Sequence, residues 1–232
     1  MTLNPLRQLQ RRFPSFRPWL LWLDFVLRGR RINRDQWDDA TATATKQVYQ
    51  NLTRWSWDET QVQTPQYFRV LQQAVGLARG RVLELGCGVG NMTRWFAAKG
   101  GADSILAIDA FPFAVGYVRQ AGYPNVDVMC APVEALGLPP GRKFDTVVLC
   151  ELIEHLYADE EQKMLDALRP SLERHATFVV STPVGFMPDP NHVRGFSKNS
   201  FKRHIRRHYG TLEGVDYSSG YSQVAWGKWH DS

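Results

Sequence analysis

Three glycines that alternate with other residues follow a short apolar run, and this combination constrains the fold more than any other feature. Residues 81–85 read RVLEL, and Gly86, Gly88 and Gly90 follow them. After Asn91, apolar residues recur every three or four positions, as on one face of a helix. Glycine lets the backbone turn tightly and approach a ligand without a Cβ in the way. The pattern predicts a buried strand, a tight turn beside a ligand, and a helix.

Short apolar runs alternate with helical stretches over the following residues. The strand candidates are residues 81–85, 104–108, 126–129, 144–150 and 177–181, and the helix candidates are residues 92–99, 111–120 and 160–168. Alternating strands and helices imply right-handed crossovers and a parallel sheet with helices on both faces. We therefore predict a doubly wound α/β fold, in which ligands bind at the carboxyl ends of the strands.

The first 60 residues differ in composition and in hydrophobic pattern from the rest of the chain. They contain five of the eight tryptophans and no strand-like run. We predict a helical extension or lid over residues 1–60 and a core over residues 61–232, since 232 residues fit one core with an addition. The three cysteines, an odd number without a C-x-x-C pair, favour a reducing, cytoplasmic location.

Positive charge is concentrated in two segments. Residues 1–35 carry eight arginines against two aspartates, and residues 198–208, a predicted helix capped by Ser197, add five lysines and arginines. The whole chain has a net charge of only +5, so the remainder is acidic. This distribution argues against a uniform nucleic-acid-binding surface.

An apolar run at residues 18–27 is about half the roughly 20 residues that a membrane-spanning helix needs. It is also a poor signal peptide, because Arg28, Arg30 and Arg31 follow where small residues belong. The segment is expected to pack on the core or on a second subunit. The alternative is a peripheral contact of residues 1–35 with an anionic membrane surface. We expect a cytoplasmic monomer or homodimer, with membrane association as the alternative.

Glu84 precedes the first glycine of the turn by two residues. A dinucleotide-binding G-x-G-x-x-G would place its third glycine at position 91, where the chain has asparagine. A carboxylate at this place repels a pyrophosphate and suits a ligand that carries a cationic amino group. Glu84 with Gly86, Gly88 and Gly90 resembles the first motif of the class I S-adenosylmethionine-dependent methyltransferases, E/D-x-G-x-G-x-G.

The resemblance implies S-adenosyl-L-methionine as the cofactor and a Rossmann-like, mostly parallel seven-stranded sheet. Asp109 ends the second strand, where the family's acid binds the ribose hydroxyls. After the third strand the family often has an acid that contacts adenine. Pro132 takes that position here, which leaves the Val133 amide and Glu134 as the contacts. The cofactor-binding residues implied in this way are Glu84, Gly86, Cys87, Gly88, Gly90, Asp109, Ala110, Val133, Glu134 and Glu151.

The resemblance continues after the fourth strand, where residues 151–156 read ELIEHL and contain the acid-histidine-apolar triplet of the family. It runs on through residues 181–183 (STP) and 191–197 (NHVRGFS), so that it covers about residues 65–232. The runs at residues 211–217 and 223–229 are typical of the last two strands of this family's mixed sheet.

Glu151 and His155 are the predicted catalytic residues. They are four positions apart, so they would share a face on a helical turn. The His155 imidazole would take the acceptor's proton as a general base, which contributes about 10²- to 10⁴-fold to a rate. An alternative role for His155 is to hold the loop by hydrogen bonding.

A metal site is the alternative use of the same segment. Glu151, Glu154, His155 and His192 offer two carboxylates and two imidazoles, a set that holds divalent metals. The metal-dependent small-RNA 3′-end 2′-O-methyltransferases have a similar E-x-x-E-H followed by a later histidine. Because the same patterns are frequent in metal-free methyltransferases that act on small molecules, we expect no metal.

The sequence thus predicts an S-adenosylmethionine-dependent methyltransferase that acts on an oxygen or nitrogen of a small-molecule or lipid-like acceptor by in-line transfer. Nucleic acid is not the expected partner. The alternatives are metal-dependent 2′-O-methylation of RNA 3′ ends, and a catalytically silent module that binds the cofactor or a membrane surface.

Overall fold

The computed structural model describes residues 72–185, 192–217 and 222–230. Residues 72–77 are helical and precede the first strand. The elements that follow are β1 (Arg79–Leu85), α1 (Asn91–Lys99), β2 (Gly101–Asp109), α2 (Pro112–Gln120), β3 (Val126–Cys130), β4 (Phe144–Cys150), α3 (Ala158–Leu168), β5 (Leu172–Pro183), α4 (Lys198–His208), β6 (Gly210–Asp216) and β7 (Ser222–Trp229). Short 3-10 turns cover Val133–Ala135, Ile153–His155 and Arg169–Ser171.

The seven strands form one sheet in the order β3-β2-β1-β4-β5-β7-β6. Strands β1 to β5 pair in parallel, whereas β7 runs antiparallel to both β5 and β6. Strand β1 pairs with β2 on one side and with β4 on the other. The chain thus builds the sheet from β1 toward one side through β2 and β3, and then toward the other side through β4 and β5. In such sheets the crevice beyond the carboxyl ends of β1, β2 and β4 holds the ligand.

Two apolar layers enclose the sheet, because successive residues of each strand point to opposite faces. Leu83 and Leu85 of β1 face one layer, which contains α3 and α4. Val82 faces the other, which contains α1, part of α2 and the helical residues 72–77. Burial of each large apolar side chain stabilises the fold by about 1.5–3 kcal/mol, so these two layers hold the sheet edge and its loops in place.

Every strand and helix predicted within the described residues is confirmed, with bounds that differ by a few residues. The largest difference is β5, which begins at Leu172 rather than at residue 177. The cap of α4 is also confirmed, since the Ser197 hydroxyl accepts a hydrogen bond from the Ser200 backbone N–H at 3.2 Å. The extension or lid over residues 1–60 lies outside the described residues, and its boundary with the core stays a prediction.

None of the helices among residues 72–185, 192–217 and 222–230 combines the length and the apolar character of a membrane-crossing helix.

Candidate functional site

The glycine turn joins β1 to α1 and adopts a backbone that favours glycine. Gly86, Gly88 and Gly90 have φ angles of 70°, 53° and 84°. A Cβ at Gly90 would lie 2.8 Å from Val118 Cγ2, so this position has no room for a side chain. The turn is tied to the neighbouring strand, since the N–H groups of residues 86 and 87 both donate to the Ile108 carbonyl, at 2.8 and 3.0 Å. The backbone is therefore held close to the ends of β1 and β2.

Asp109 ends β2 and braces the glycine turn. Its Oδ2 accepts a hydrogen bond from the Gly88 N–H at 2.8 Å, and its Oδ1 accepts one from the Phe111 N–H at 2.9 Å. The residue is 5% exposed, and burial raises the pKa of its carboxyl group. Each carboxylate oxygen has a second lone pair available, so Asp109 can still accept hydrogen bonds from two hydroxyl groups of a ligand.

Glu84 lies beneath the turn and is 3% exposed. The Thr93 hydroxyl of α1 donates a hydrogen bond of 2.6 Å to Glu84 Oε2. Burial raises the pKa of the Glu84 carboxyl group to about 8. Sequence reasoning missed Thr93, although its place in the first turn of the helix after the glycines was a usable signal.

The turn after β3 approaches Asp109 from the other side. The Ala131 N–H donates to the Asp109 carbonyl at 3.0 Å, which places residues 131–136 beside the end of β2. Val133 is 8% exposed and belongs to the core, while Glu134 is the middle residue of the short 3-10 turn Val133–Ala135. Ala110 is exposed next to Asp109.

Cys87 lies within the glycine turn, where burial raises the pKa of its thiol well above the usual range. This side chain is therefore suited to packing, and its backbone to ligand contact.

Glu151 follows β4 in a left-handed backbone conformation, with a φ of 51°. The Ser181 hydroxyl donates to Glu151 Oε1 at 2.7 Å, and the Ser222 hydroxyl donates to Oε2 at 3.1 Å. Burial raises the pKa of the Glu151 carboxyl group to about 7. Glu151 and His155 do not lie on one helical turn, because Glu151 is left-handed and the 3-10 turn covers only Ile153–His155. The condition under which the sequence placed them on a shared face is therefore not met.

Glu154, His155 and His192 form a compact cluster. One ligand atom from each residue lies within 4.8 Å of the others, and the rings of His155 and His192 meet edge to face at 4.7 Å. Glu154 is 2% exposed, and neither of its carboxylate oxygens has a hydrogen-bond partner among the residues that the structure describes. Burial raises the pKa of this carboxyl group well above its usual range. Of the four residues in the metal alternative, the structure brings three together, while the two serines bind Glu151.

Four buried or partly buried carboxyl groups thus lie at the ends of three adjacent strands. Glu84 is the penultimate residue of β1, Asp109 ends β2, and Glu151 and Glu154 follow β4. Burial raises the pKa of all four, which means that the site disfavours their negative charge in the absence of a ligand. A positively charged ligand would offset that cost.

Residues 82–175 match the family model described as a methyltransferase domain. This part of the chain is a methyltransferase domain. It contains the glycine turn, Asp109 and the cluster residues up to His155, whereas His192 and Ser222 lie beyond the matched segment.

Curated relatives of the methyltransferase domain are named ubiquinone biosynthesis O-methyltransferase. The protein from Acinetobacter baumannii (strain AYE) is 36% identical over 89 residues, which are 37% of this chain and 37% of that protein. The protein from Azotobacter vinelandii is 32% identical over 87 residues, or 37% of this chain and 38% of that protein. The match thus spans less than two fifths of these relatives.

Solved structures share the fold of the methyltransferase domain and the strands after it. A TehB-like SAM-dependent methyltransferase from Corynebacterium glutamicum matches with a TM-score of 0.58 at 19% identity, over 83% of this chain and 100% of that chain. The N-methyltransferase NodS from Bradyrhizobium japonicum, in complex with S-adenosyl-L-homocysteine, matches with a TM-score of 0.58 at 18% identity, over 79% and 98%. These likenesses confirm the Rossmann-like fold.

Proposed function

We propose that this protein is an S-adenosylmethionine-dependent methyltransferase that methylates an oxygen or nitrogen of a small or lipid-like acceptor. The observation that carries the proposal is the pair of buried acids at the glycine turn. Asp109 is braced by the Gly88 and Phe111 N–H groups, and Glu84 is buried one strand away. This arrangement suits a ligand that combines ribose hydroxyls with a cationic group, which S-adenosylmethionine does.

The residues of the turn have complementary tasks in this proposal. Asp109 accepts hydrogen bonds from the ribose hydroxyls, and the backbone at residues 86–90 approaches the ligand where side chains are missing. Ala110, Val133 and Glu134 line the side next to β3, where the adenine would lie. Glu84 and Glu151 supply negative charge for the cationic amino and sulfonium groups.

The chemistry requires an acceptor atom placed in line behind the methyl group. When bound, S-adenosylmethionine supplies an electrophilic methyl group whose bond to sulfur breaks as the bond to the acceptor forms. Holding the two reactants in line can supply most of the acceleration. His155 takes the proton that an acceptor hydroxyl or amino group releases, since its ring is one third exposed at the edge of the site. The relatives named O-methyltransferases favour an oxygen acceptor.

The cofactor assignment is tested by calorimetry with S-adenosyl-L-homocysteine. We expect binding in the micromolar range, and turnover of S-adenosylmethionine when acceptor pools such as lipid extracts are added. Binding of NADH without binding of S-adenosylhomocysteine would contradict the proposal. Cofactor binding without turnover of any pool would favour the catalytically silent module instead.

A metal-assisted form of the reaction is the second candidate, and the cluster of Glu154, His155 and His192 favours it. A buried carboxylate beside two imidazoles fits a divalent cation in its donor set. These three residues would hold the ion, which would lower the pKa of a bound acceptor hydroxyl. Such an ion could also bind the vicinal hydroxyls of an RNA 3′ end.

Metal analysis of the purified protein separates the two candidates. We expect EDTA to leave S-adenosylhomocysteine binding and turnover unchanged. One equivalent of tightly bound metal that His192→Ala removes would instead establish the metal-assisted form. RNA 3′ ends would then be the first acceptors to assay.

A further inference from the structure

A further buried carboxylate, outside the four described above, joins elements that are distant in sequence. Glu161 of α3 is 2% exposed. His204 Nε2 of α4 lies 2.9 Å from Glu161 Oε1, and the Tyr209 hydroxyl donates to the same oxygen at 2.7 Å. On the opposite side, Arg194 Nη2 lies 2.7 Å from Glu161 Oε2.

This carboxylate is ionised at neutral pH. Burial by itself would raise the pKa of Glu161, but the hydrogen bond with His204 and the positive charge of Arg194 outweigh burial and lower it to about 2. Glu161 therefore offers a permanent negative charge to the guanidinium group.

Arg194 uses its side chain to connect this carboxylate with the loop after β4. Its Nε donates a hydrogen bond of 2.9 Å to the Ile153 carbonyl, while its Nη2 pairs with Glu161. The guanidinium group also lies over the ring of Phe196, 5.2 Å from its centroid. The planar fork of arginine can direct donors to two such partners, which a lysine ammonium cannot do in the same geometry.

The backbone of the same segment makes a second connection. The N–H groups of Val193 and Arg194 both donate to the Glu154 carbonyl, at 2.9 and 3.3 Å. His192 directly precedes these two residues and meets the His155 ring at 4.7 Å. The position of His192 against Glu154 and His155 thus depends on how residues 193 and 194 are attached.

We propose that Arg194, anchored by Glu161, is a positioning residue that sets His192 against Glu154 and His155 on the acceptor side of the site. This inference rests on the proposed function, because only that function makes this side of the site the place where the acceptor binds. It assigns Arg194 no contact with cofactor or acceptor. Through the Arg194–Glu161 pair, α3 helps to fix the positions of His192 and His155.

The test uses the histidine side-chain NMR signals of the full chain without ligand. The chain has six histidines, so His155→Gln and His192→Gln each identify one signal by its loss. Arg194→Lys keeps the charge next to Glu161 but gives up the Ile153 carbonyl, and Arg194→Gln removes the charge. Tyr209→Phe is the matched control. It removes the hydrogen bond that the Tyr209 hydroxyl donates to Glu161 Oε1, the other oxygen of the same carboxylate, and leaves Arg194 in place.

We expect both Arg194 variants to shift the His155 and His192 signals by more than their line width, and Tyr209→Phe to leave them in place even if it lowers the melting temperature. If Arg194→Gln fails to fold, Arg194→Lys decides. Unchanged histidine signals in the Arg194 variants, or equal shifts in Tyr209→Phe, would overturn the inference.

Calorimetry with S-adenosylhomocysteine keeps the two proposals separate. We expect Arg194→Lys to bind it within about twofold of the unaltered protein, since the partners of Arg194 described above include none of the cofactor residues. A lack of binding by the unaltered protein would overturn the proposed function, while the histidine signals would still decide the role of Arg194. With an acceptor in hand, Arg194→Lys should lower kcat and leave KM for S-adenosylmethionine unchanged.

Discussion

Replacing Asp109 by asparagine tests the central element of the site with almost no change of shape. The aspartate oxygens accept one backbone N–H each, from Gly88 and Phe111. Asparagine keeps one oxygen and puts an NH₂ group in the place of the other. One of the two backbone donors then faces a donor at a site that is only 5% exposed.

The expected magnitudes follow from this loss. A buried donor left without a partner costs about 1–3 kcal/mol, so the free energy of unfolding should fall by about that amount. One of the two oxygens that would accept from the ribose is also gone. Hydrogen bonds to charged groups contribute about 1.5–3 kcal/mol, which corresponds to a Kd for S-adenosylhomocysteine about 10- to 150-fold higher.

Urea unfolding and calorimetry at one pH measure both effects. Asp127→Asn is the matched control, because Asp127 lies on the neighbouring strand with a side chain 68% exposed and paired to Arg142 at 2.8 Å. Exposed pairs of this kind contribute about 1 kcal/mol or less. The assignment of Asp109 fails if the two variants bind S-adenosylhomocysteine with the same Kd.

Three further predictions concern other parts of the molecule. Burial raises the pKa of Glu84 from 4.5 to about 8, so the folded protein without ligand keeps a proton that the unfolded chain loses, and its stability falls as the pH rises from about 4.5 to about 8. Glu84→Gln should remove the share of this decline that Glu84 contributes, at most on the order of 5 kcal/mol, and leave the share of the other buried carboxyl groups. An unchanged profile of unfolding free energy against pH would contradict the prediction. Gly90→Ala should destabilise the fold by about 1–3 kcal/mol, because position 90 has a positive φ and the new Cβ would overlap with Val118. Urea unfolding should show that Gly90→Ala and Val118→Ala together lower the free energy of unfolding by less than the sum of the two single changes. For residues 1–35 we expect the full chain to stay in the supernatant with phosphatidylglycerol vesicles at low salt. Salt-sensitive sedimentation that is lost in a chain beginning at Asp38 would instead indicate a membrane anchor, at roughly 1 kcal/mol per arginine.

Local patterns were sufficient to predict most of the fold. The glycines at 86, 88 and 90 mark the turn because only a few residue types tolerate positive φ, and the alternation of apolar runs marks the strands. Asp109 was predictable for the same reason, since it ends a strand whose place in the sheet follows from the alternation.

The partners of the site residues were not predictable, because they depend on contacts between distant parts of the chain. The Ser181 and Ser222 hydroxyls that bind Glu151 are 30 and 71 residues away from it. Arg194 and Glu161 carry no spacing that links them to each other. The left-handed backbone of Glu151 is a further local exception, since non-glycine residues rarely adopt it.

The antiparallel strand β7 links the loop after β4 to the C-terminal part of the sheet. A nascent chain that has reached Pro183 already contains β1 to β5, the glycine turn and the loop that carries Glu151. It still lacks Ser222, the donor to Glu151 Oε2, which enters the sheet only when β7 inserts between β5 and β6. The Glu151 carboxylate therefore has both of its serine donors only when β7 is in place, so the loop after β4 is completed by a strand that lies 71 residues further along the chain.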